Sequence, residues 1–263
     1  MDLFSFFVLY EEIDPILINK AHKLFDTCRS SIRCVDVKPY FENTDLIIPM
    51  YFTRTIYYRL AIPRIFKDLN KVIYLDSDIV VKDDLGRLLD AMDDQKSLGV
   101  VHDTLRKTSR VNNTNAPPDC GGQPQEEYER TNLGLSNPDD YFQSGVLVYN
   151  IPRIDDEKVT QCFQKLKTPH WLPDQDILNA VFKDTLCLFD EHWNVLCGNE
   201  ALSLARDLPE PWKKRYFETR QDPHIIHYGG SSKPWIDPDG DYASEFTRVF
   251  DQVNVAIRRL TKF

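Results

Sequence analysis

The sequence lacks most features of secreted, membrane-spanning and nucleic-acid-binding proteins. Its six cysteines are scattered, without the close pairs of a zinc site or the density of a disulfide-linked scaffold, which predicts reduced thiols and a cytoplasmic location. No apolar run reaches the roughly 20 residues of a membrane helix. Lysine and arginine number 32 against 41 acidic residues, a net charge of −9. This charge argues against a nucleic-acid partner, because such binding needs a basic surface.

The pattern of apolar segments predicts an α/β fold. The 263 residues, 42% of them apolar, are enough for one large domain or two small ones. Residues 3–10 and 31–37 have strand-like sequences, and Asp14–Pro15 between them marks a helix start. This strand–helix–strand order predicts a parallel pair with a right-handed crossover. Residues 105–140, rich in Asn, Pro and Gly, are predicted to form a long loop.

A strand in the first half of the sequence leads into two carboxylates. Residues 72–75 form an apolar run typical of a buried strand in a parallel sheet. Asp76 and Asp78 follow it, at the strand end where open α/β sheets bind ligands. Residues two apart in extended chain project to the same side, so the two carboxylates are expected to converge. They would repel unless a divalent cation such as Mg²⁺ or Mn²⁺ lies between them. The alternative is an acidic turn after a strand.

A second polar cluster lies later in the chain. An apolar strand delivers His227, and a Gly229–Gly230 turn and Lys233 follow it. Glycines allow backbone N–H groups to close around phosphate oxygens, and lysine supplies a point charge. A histidine at a strand end is commonly structural. Beside this turn, in a chain that also has a carboxylate pair, His227 becomes a candidate metal ligand.

Further polar residues accompany other predicted elements. Arg59 lies among tyrosines in a predicted helix at 49–66 and could reach an anion. Asp103 ends an apolar strand, again at the carboxyl end where ligands gather. Asp174 and Asp176 open a helix, where capping and complementation of the helix dipole are the alternative to a functional role.

Five segments, taken in order, resemble glycosyltransferase family 8 and, within it, the bacterial lipopolysaccharide galactosyl- and glucosyltransferases. The resemblance implies a GT-A-like (Rossmann-like) α/β fold, with a mixed, mostly parallel sheet flanked by helices in a single domain over residues 1–263. It also implies a UDP-glucose or UDP-galactose donor, Mn²⁺ or alternatively Mg²⁺, a glycan or lipid-linked sugar acceptor, and transfer with retention of the anomeric configuration. The matching segments are residues 57–60, 72–80, 141–150, 173–179 and 227–235.

The resemblance also implies roles for individual residues. A divalent cation and a lysine would stabilise negative charge on the leaving diphosphate, and a carboxylate or amide oxygen would stabilise the oxocarbenium-like sugar. Position by position, the metal ligands are Asp76, Asp78 and His227, and the catalytic candidates are Gln175 and Asp176. The residues expected to hold the donor are Arg59, Asp76, Ser77, Asp103, Gln143, Asp174, Gly230 and Lys233.

The chain departs from this family in two places. Gln143 stands where many members have Asn, which lengthens the sugar contact by one methylene. The sequence begins at what resembles the family's second strand, so we expect an N-terminally shortened domain without the strand–helix unit that holds the nucleotide base and ribose. Since the first strand of a doubly wound sheet lies near the middle of the strand order, its absence predicts a gap with unpaired backbone groups.

Two alternatives stay open. A haloacid-dehalogenase-like phosphatase also places Asp-x-Asp after a strand, although near the start of its domain and without a role for the His227 cluster. A non-catalytic remnant of a glycosyltransferase would suit the missing unit. Arg258, Arg259 and Lys262 predict peripheral contact with an anionic surface, such as the inner face of a membrane.

Overall fold

A computed structural model of the chain describes residues 4–27, 29–48 and 52–260, and the side chains of residues 259 and 260 lie outside that description. The strands are β1 (Phe4–Tyr10), β2 (Ser30–Asp36), β3 (Lys71–Leu75), β4 (Ile79–Val81), β5 (Leu98–His102), β6 (Phe142–Asn150), β7 (Leu186–Leu188), β8 (Val195–Leu196) and β9 (Ile225–His227). The helices are α1 (Pro15–Phe25), α2 (Lys38–Phe41), α3 (Ile62–Ile65), α4 (Leu85–Asp90), α5 (Arg106–Val111), α6 (Gln125–Thr131), α7 (Asp156–Lys165), α8 (Pro173–Phe182), α9 (Asn199–Arg206), α10 (Trp212–Thr219) and α11 (Ala243–Leu260).

The helix predicted at 49–66 is in fact a 3₁₀ helix, Arg54–Ala61, followed directly by α3. Pro63 lies in the first turn of α3, where its missing N–H costs no hydrogen bond. Residues 49–51 lie outside the described residues. Among the described residues, none of the helices combines the length and the apolar character needed to cross a membrane.

The strands form three sheets in the described part of the chain. Their orders are β1-β2, β3-β6-β5-β7 and β4-β9-β8. Pairs β1/β2, β5/β7 and β8/β9 are parallel, whereas β3/β6, β5/β6 and β4/β9 are antiparallel. The predicted α/β fold with a mixed sheet is confirmed. Parallel pairs do not outnumber antiparallel ones, because β6 runs antiparallel between β3 and β5.

β6 passes through the core, and both of its faces are buried. Alternate side chains of a strand point to opposite faces. Leu147 and Tyr149 pack in one cluster with Ile177 of α8, while Val146 and Val148 pack in a second cluster that includes side chains of α4. Helices therefore cover this sheet on both sides, and the amino end of β6 is held firmly beside the ends of β3 and β9.

β3 lies at the edge of its sheet. It pairs with β6 on one side, and no described strand covers the other side. All five of its residues are therefore only half-buried. The prediction of a buried strand is wrong here, because such burial needs neighbours around the whole strand. β1 pairs only with β2 among the described strands and lines the same cavity as β3, so a gap separates these two strands.

Residues 105–140 are ordered, and the prediction of a long loop is wrong. They contain α5 and α6, which are joined through the fully buried carboxylate of Glu129. Glu129 accepts from Arg106 at 3.1 Å and from Arg110 at 3.0 Å. Buried ion pairs between residues 23 and 19 positions apart leave no apolar periodicity in the sequence, which is why the pattern indicated a loop.

Candidate active site

A cavity of about 2140 Å³ opens where the carboxyl ends of β3 and β9 meet the amino end of β6. It brings together residues from widely separated parts of the chain. The wall includes every predicted site residue except Asp176: Arg59, Asp76, Ser77, Asp78, Asp103, Gln143, Asp174, Gln175, His227, Gly230 and Lys233.

Asp76, Asp78 and His227 form a cluster suited to a divalent cation. The two carboxylates lie in the turn between β3 and β4 rather than in a strand, and the pairing of β4 with β9 places Ile79 opposite His227. One ligand atom from each residue lies within 4.8 Å of the others. Nε2 of His227 is 3.4 Å from Asp78 Oδ1 and 3.7 Å from Asp76 Oδ2. Around an octahedral cation with bonds of about 2.1 Å, adjacent ligands lie about 3 Å apart and opposite ligands about 4 Å apart. The separations in this cluster are close to that range, so the donor set suits a divalent cation.

Asn194 orients the buried imidazole of His227. Its side-chain oxygen accepts from Nδ1 of His227 at 2.9 Å, and its Nδ2 donates to Oε1 of Gln143 at 2.6 Å. Because Nδ1 carries the proton in this bond, Nε2 keeps its lone pair towards the two carboxylates. Metal-bound histidines are commonly fixed by such a partner on the second ring nitrogen.

Gly145 lets β6 pass close to Asp76, Asp78 and His227, the candidate metal ligands, which together form the metal-ligand cluster. A Cβ atom at this position would lie 2.3 Å from Cε1 of His227 and 2.7 Å from Oδ2 of Asp76. The carbonyl of Gly145 accepts from the N–H of Asp76 at 2.9 Å. Any side chain here would displace both ligands, which is the physical reason for a glycine within this strand.

Arg59 is buried and connects the cluster to α8. Nη2 donates to Asp76 at 2.7 Å, Nη1 to the carbonyl of Ser144 at 2.6 Å, and Nε lies 3.2 Å from Asp174. The hydroxyl of Tyr74 also donates to Asp76, at 2.7 Å. Burial raises the pKa of the Asp174 carboxyl, and the Arg59 charge opposes that effect. Arg59 thus holds two carboxylates in place, and their charges compensate its own burial.

Lys233 and Gly230 lie on the other side of the cluster. Nζ of Lys233 donates to Oδ2 of Asp78. Burial raises the pKa of the Asp78 carboxyl, but the hydrogen bonds and charges of His227 and Lys233 outweigh it, so the pKa is well below its usual range. Gly230 has φ of +83°, and a Cβ atom there would lie 2.6 Å from a carboxylate oxygen. The turn therefore needs glycine.

Helix α8 places Gln175 between β6 and Asp103. Oε1 of Gln175 accepts from the N–H of Ser144 at 2.9 Å, and Nε2 donates to Oδ2 of Asp103 at 3.1 Å. Burial raises the pKa of the Asp103 carboxyl. The helix begins at Pro173, so Asp174 lies inside the first turn. Capping by Asp174, the alternative to a functional role, is therefore not observed, because Leu172 is the N-cap and proline occupies the first helical position.

Asp176 is fully buried and does not line the cavity. Its oxygens accept from the hydroxyls of Tyr128 and Tyr141 at 2.7 and 2.6 Å and from the N–H of Leu172 at 3.0 Å. These bonds leave the carboxylate facing the protein interior, so the structure does not support the predicted catalytic role. Successive helical residues point about 100° apart, and Gln175 is the neighbour that reaches the cavity.

Three residues of this site were missed in the sequence: Tyr74, Ser144 and Asn194. Tyr74 lies two positions before Asp76, and the rule that residues two apart share a side would have pointed to it. Ser144 belongs to a polar entry into an otherwise apolar strand, which is also a readable signal. Asn194 has no such signal in the sequence, because the residues it bonds to are 33 and 51 positions away.

The sequence matches the family model Glycosyl transferase family 8 over residues 3–238. It is 26% identical over 195 residues to General stress protein A of Bacillus subtilis (strain 168), covering 70% of this chain and 60% of the relative. It is 28% identical over 219 residues to the lipopolysaccharide glucosyltransferase WaaO of Escherichia coli (strain K12), covering 78% of this chain and 57% of the relative. The chain spans less than two thirds of the length of either relative.

Solved structures share the fold. The bifunctional glycosyltransferase WbbM superposes with a TM-score of 0.73 at 25% identity, covering 93% of this chain and 48% of that one. The galactosyltransferase LgtC, solved with donor and acceptor sugar analogs, superposes with a TM-score of 0.67 at 25% identity, covering 93% of this chain and 83% of that one. These neighbours confirm the GT-A-like fold.

Proposed function

Because the chain belongs to glycosyltransferase family 8, we propose that it transfers a hexose from UDP-glucose or UDP-galactose to a glycan or lipopolysaccharide-type acceptor, with retention of the anomeric configuration. The observation that carries the proposal is the convergence of Asp76, Asp78 and His227 beside Lys233 in one large cavity. This arrangement suits a diphosphate whose negative charge grows as the sugar leaves. A relative named as a lipopolysaccharide glucosyltransferase supports the acceptor class.

The metal-ligand cluster and Lys233 would bind the leaving group. Asp76, Asp78 and His227 would hold Mn²⁺ or Mg²⁺, which supplies a Lewis acid for the diphosphate oxygens. The ammonium group of Lys233, which donates to Asp78, would also donate to a phosphate oxygen. The turn at Gly230 would offer backbone N–H groups to the same diphosphate. Leaving-group charge is thereby stabilised by fixed positive groups instead of by a proton.

The opposite wall would hold the sugar. Asp103 and Asp174 offer carboxylate oxygens to hydroxyl groups, and Ser77 and Gln143 line the same cavity. The side chain of Gln175 is fixed at both ends by hydrogen bonds, so its amide is preorganised near the departing sugar. An oxygen so placed stabilises the oxocarbenium-like transition state.

A haloacid-dehalogenase-like phosphatase is not favoured. The family match covers most of the chain. A phosphatase of that kind gives no role to His227, which lies 3.4 Å from Asp78 Oδ1 in the same cavity. A non-catalytic remnant would keep the same fold, and only a measurement of chemistry separates it from an enzyme.

Release of UDP from UDP-glucose and UDP-galactose tests the proposal. We expect release that depends on Mn²⁺, is stopped by a chelator and is lost in Asp76→Asn. Asp94→Asn is the matched control, because the Asp94 side chain is 77% exposed and lies outside the cavity lining. Hydrolysis of p-nitrophenyl phosphate without UDP release would contradict the proposal in favour of a phosphatase, and inertness towards both substrates would favour the remnant.

We also propose that the gap between β1 and β3 accommodates one further strand. Both strands line the cavity, and neither has a described partner on the side that faces it. Glu11, just after β1, pairs with Arg54 at 2.8 Å, and Asp76, just after β3, pairs with Arg59 at 2.7 Å. The two strands are thus both tied to the 3₁₀ helix, while their facing backbone groups stay available for a further strand.

The cytoplasmic location and the membrane contact of the last helix stay predictions. The five described cysteines are free. The proposed contact would depend on Arg258, Arg259 and Lys262, and the side chains of the last two lie outside the described residues. Sedimentation with anionic vesicles would test it directly.

A further inference from the structure

Arg106 is a buried arginine whose guanidinium lies against two aromatic rings beside the cavity. Its side chain is only 7% exposed. The guanidinium carbon lies 4.0 Å from the centre of the Trp171 ring and 5.1 Å from that of Tyr141. Cation–π contacts of this kind, together with burial, restrict where the guanidinium can move.

The donors of Arg106 are not all used by the described residues. Nε donates to Glu129 at 3.1 Å, but Nη2 is buried without a partner. The Glu129 carboxylate also serves Arg110 and Gln125, so it has little capacity left for Arg106. A buried donor without an acceptor is unusual in a folded protein. Arg110 Nε also lacks a partner, but only Arg106 of the two lines the cavity, where a ligand can supply the missing acceptor.

The surroundings of Arg106 indicate what that ligand is. Arg106 and Asp103 both line the cavity, and Oδ1 of Asp103 accepts from the backbone N–H of Arg106 at 3.1 Å. A carboxylate that can accept and a guanidinium that can donate thus line the same part of the cavity wall, three positions apart in the chain. The carboxylates of Asp103, Glu129 and Asp176 all act on the Arg106 charge. A further anion would be repelled there, whereas a neutral hydroxyl both donates and accepts.

We propose that Arg106 and Asp103 form a subsite for two neighbouring hydroxyl groups of the donor hexose, which makes Arg106 a specificity-determining residue. The inference rests on the proposed function, because Asp103 also accepts from Gln175, on the wall assigned to the sugar. Within this subsite Arg106 donates to one hydroxyl and Asp103 accepts from the next. Hexoses that differ in the orientation of those hydroxyls are then distinguished.

Arg110 provides a matched control. It lies on the same helix and pairs with the same Glu129 at 3.0 Å, yet it does not line the cavity. Arg110→Gln removes an ion pair of similar kind without removing a donor from the subsite. Arg106→Gln removes both the ion pair with Glu129 and the donor of the subsite. The difference between the two variants therefore reports the contact with the sugar.

Calorimetric titration of the full chain in Mn²⁺ with UDP, UDP-glucose and UDP-galactose tests the inference. We expect the wild type to bind one UDP-hexose more tightly than UDP. Arg106→Gln should reduce that gain by about tenfold or more, the effect of one lost charge-assisted hydrogen bond, while the Kd of UDP itself stays unchanged. Arg110→Gln should leave both affinities as they are. Arg106→Lys, which keeps the charge but not the planar fork, should also lose most of the gain.

An undiminished gain in Arg106→Gln, or an equal loss in Arg110→Gln, would overturn the inference. If Arg106→Gln fails to fold, as shown by loss of UDP binding, Arg106→Lys decides in its place by the same criterion. A wild-type chain that binds no UDP in Mn²⁺ would instead show that the proposed function itself has failed. A wild type that binds UDP without any gain from a hexose would overturn the subsite alone.

Discussion

At the scale of single residues, much of the site consists of side chains that hold other side chains. Asn194 fixes the tautomer of His227, and Arg59 with Tyr74 fixes one oxygen of Asp76. Such partners do not touch a metal or a substrate, yet they decide whether the ligand atoms point at one place. Loss of a partner of this kind commonly costs 10- to 100-fold in metal affinity, by order of magnitude.

Asn194→Ala is therefore expected to weaken Mn²⁺ binding by roughly 10- to 100-fold, because the imidazole of His227 loses the acceptor that fixes its proton. Isothermal titration with Mn²⁺ measures this. Asn199→Ala serves as the control, since Asn199 is exposed and bonds only to Asp237 at 3.2 Å among the described residues. Equal Mn²⁺ affinities in the wild type and Asn194→Ala would contradict the assigned role.

Residues of the candidate site could be predicted from the sequence where they lie at the end of an apolar strand. Asp76, Asp78 and His227 each follow an apolar run, and the structure brings them together. The sequence alone could not decide whether Asp176 or Gln175 faces the cavity. Adjacent residues of a helix differ only in the rotational phase of their side chains around its axis. That phase is set by the contacts of Asp176 with Tyr128 and Tyr141, and contacts between residues 35 to 48 positions apart are invisible to local patterns.

At the scale of elements, strand pairing explains both the site and its open side. The pairing of β4 with β9 delivers His227 to the carboxylates, whereas β3 and β1 each keep one edge without a described partner. Backbone amides at an open edge are protected less well than those inside a sheet. This difference in the protection of backbone amides can be measured in the wild-type protein.

Hydrogen exchange followed by mass spectrometry should show faster exchange in β1 and β3 than in β5. The reason is that β5 is paired on both sides, with β6 and β7, and so serves as an internal control in the same molecule. Protection of β3 equal to that of β5 would show that its edge is covered, and the proposed gap would be wrong.

Elements held by polar contacts were the ones that sequence patterns predicted least well. α7 and α11 have apolar residues at helical spacing, a pattern that is visible in the sequence alone. α5 and α6 depend instead on the ion pairs of Glu129 with Arg106 and Arg110. Residues 105–140, which contain these helices, were predicted to form a loop. Apolar periodicity reports burial against a core, so a helix pair joined by buried ion pairs escapes it.

At the scale of the whole molecule, one cavity unites the candidate site and the gap. Its volume of about 2140 Å³ exceeds the roughly 300–1,000 Å³ of most ligand pockets, because it continues from the metal-ligand cluster along β1 and β3. The chain is acidic overall, and a nucleotide diphosphate is also negative. In the proposed function, binding therefore relies on local positive groups, namely Lys233 and the cation that Asp76, Asp78 and His227 would hold.

The proposed function requires that the cluster of Asp76, Asp78 and His227 binds a divalent cation that in turn binds UDP. Calorimetric titration of UDP into the wild type and Asp78→Asn, each with and without Mn²⁺, measures this. We expect UDP binding that requires Mn²⁺ in the wild type and is lost in Asp78→Asn. Binding of UDP that is indifferent to Mn²⁺, or that survives Asp78→Asn unchanged, would contradict it.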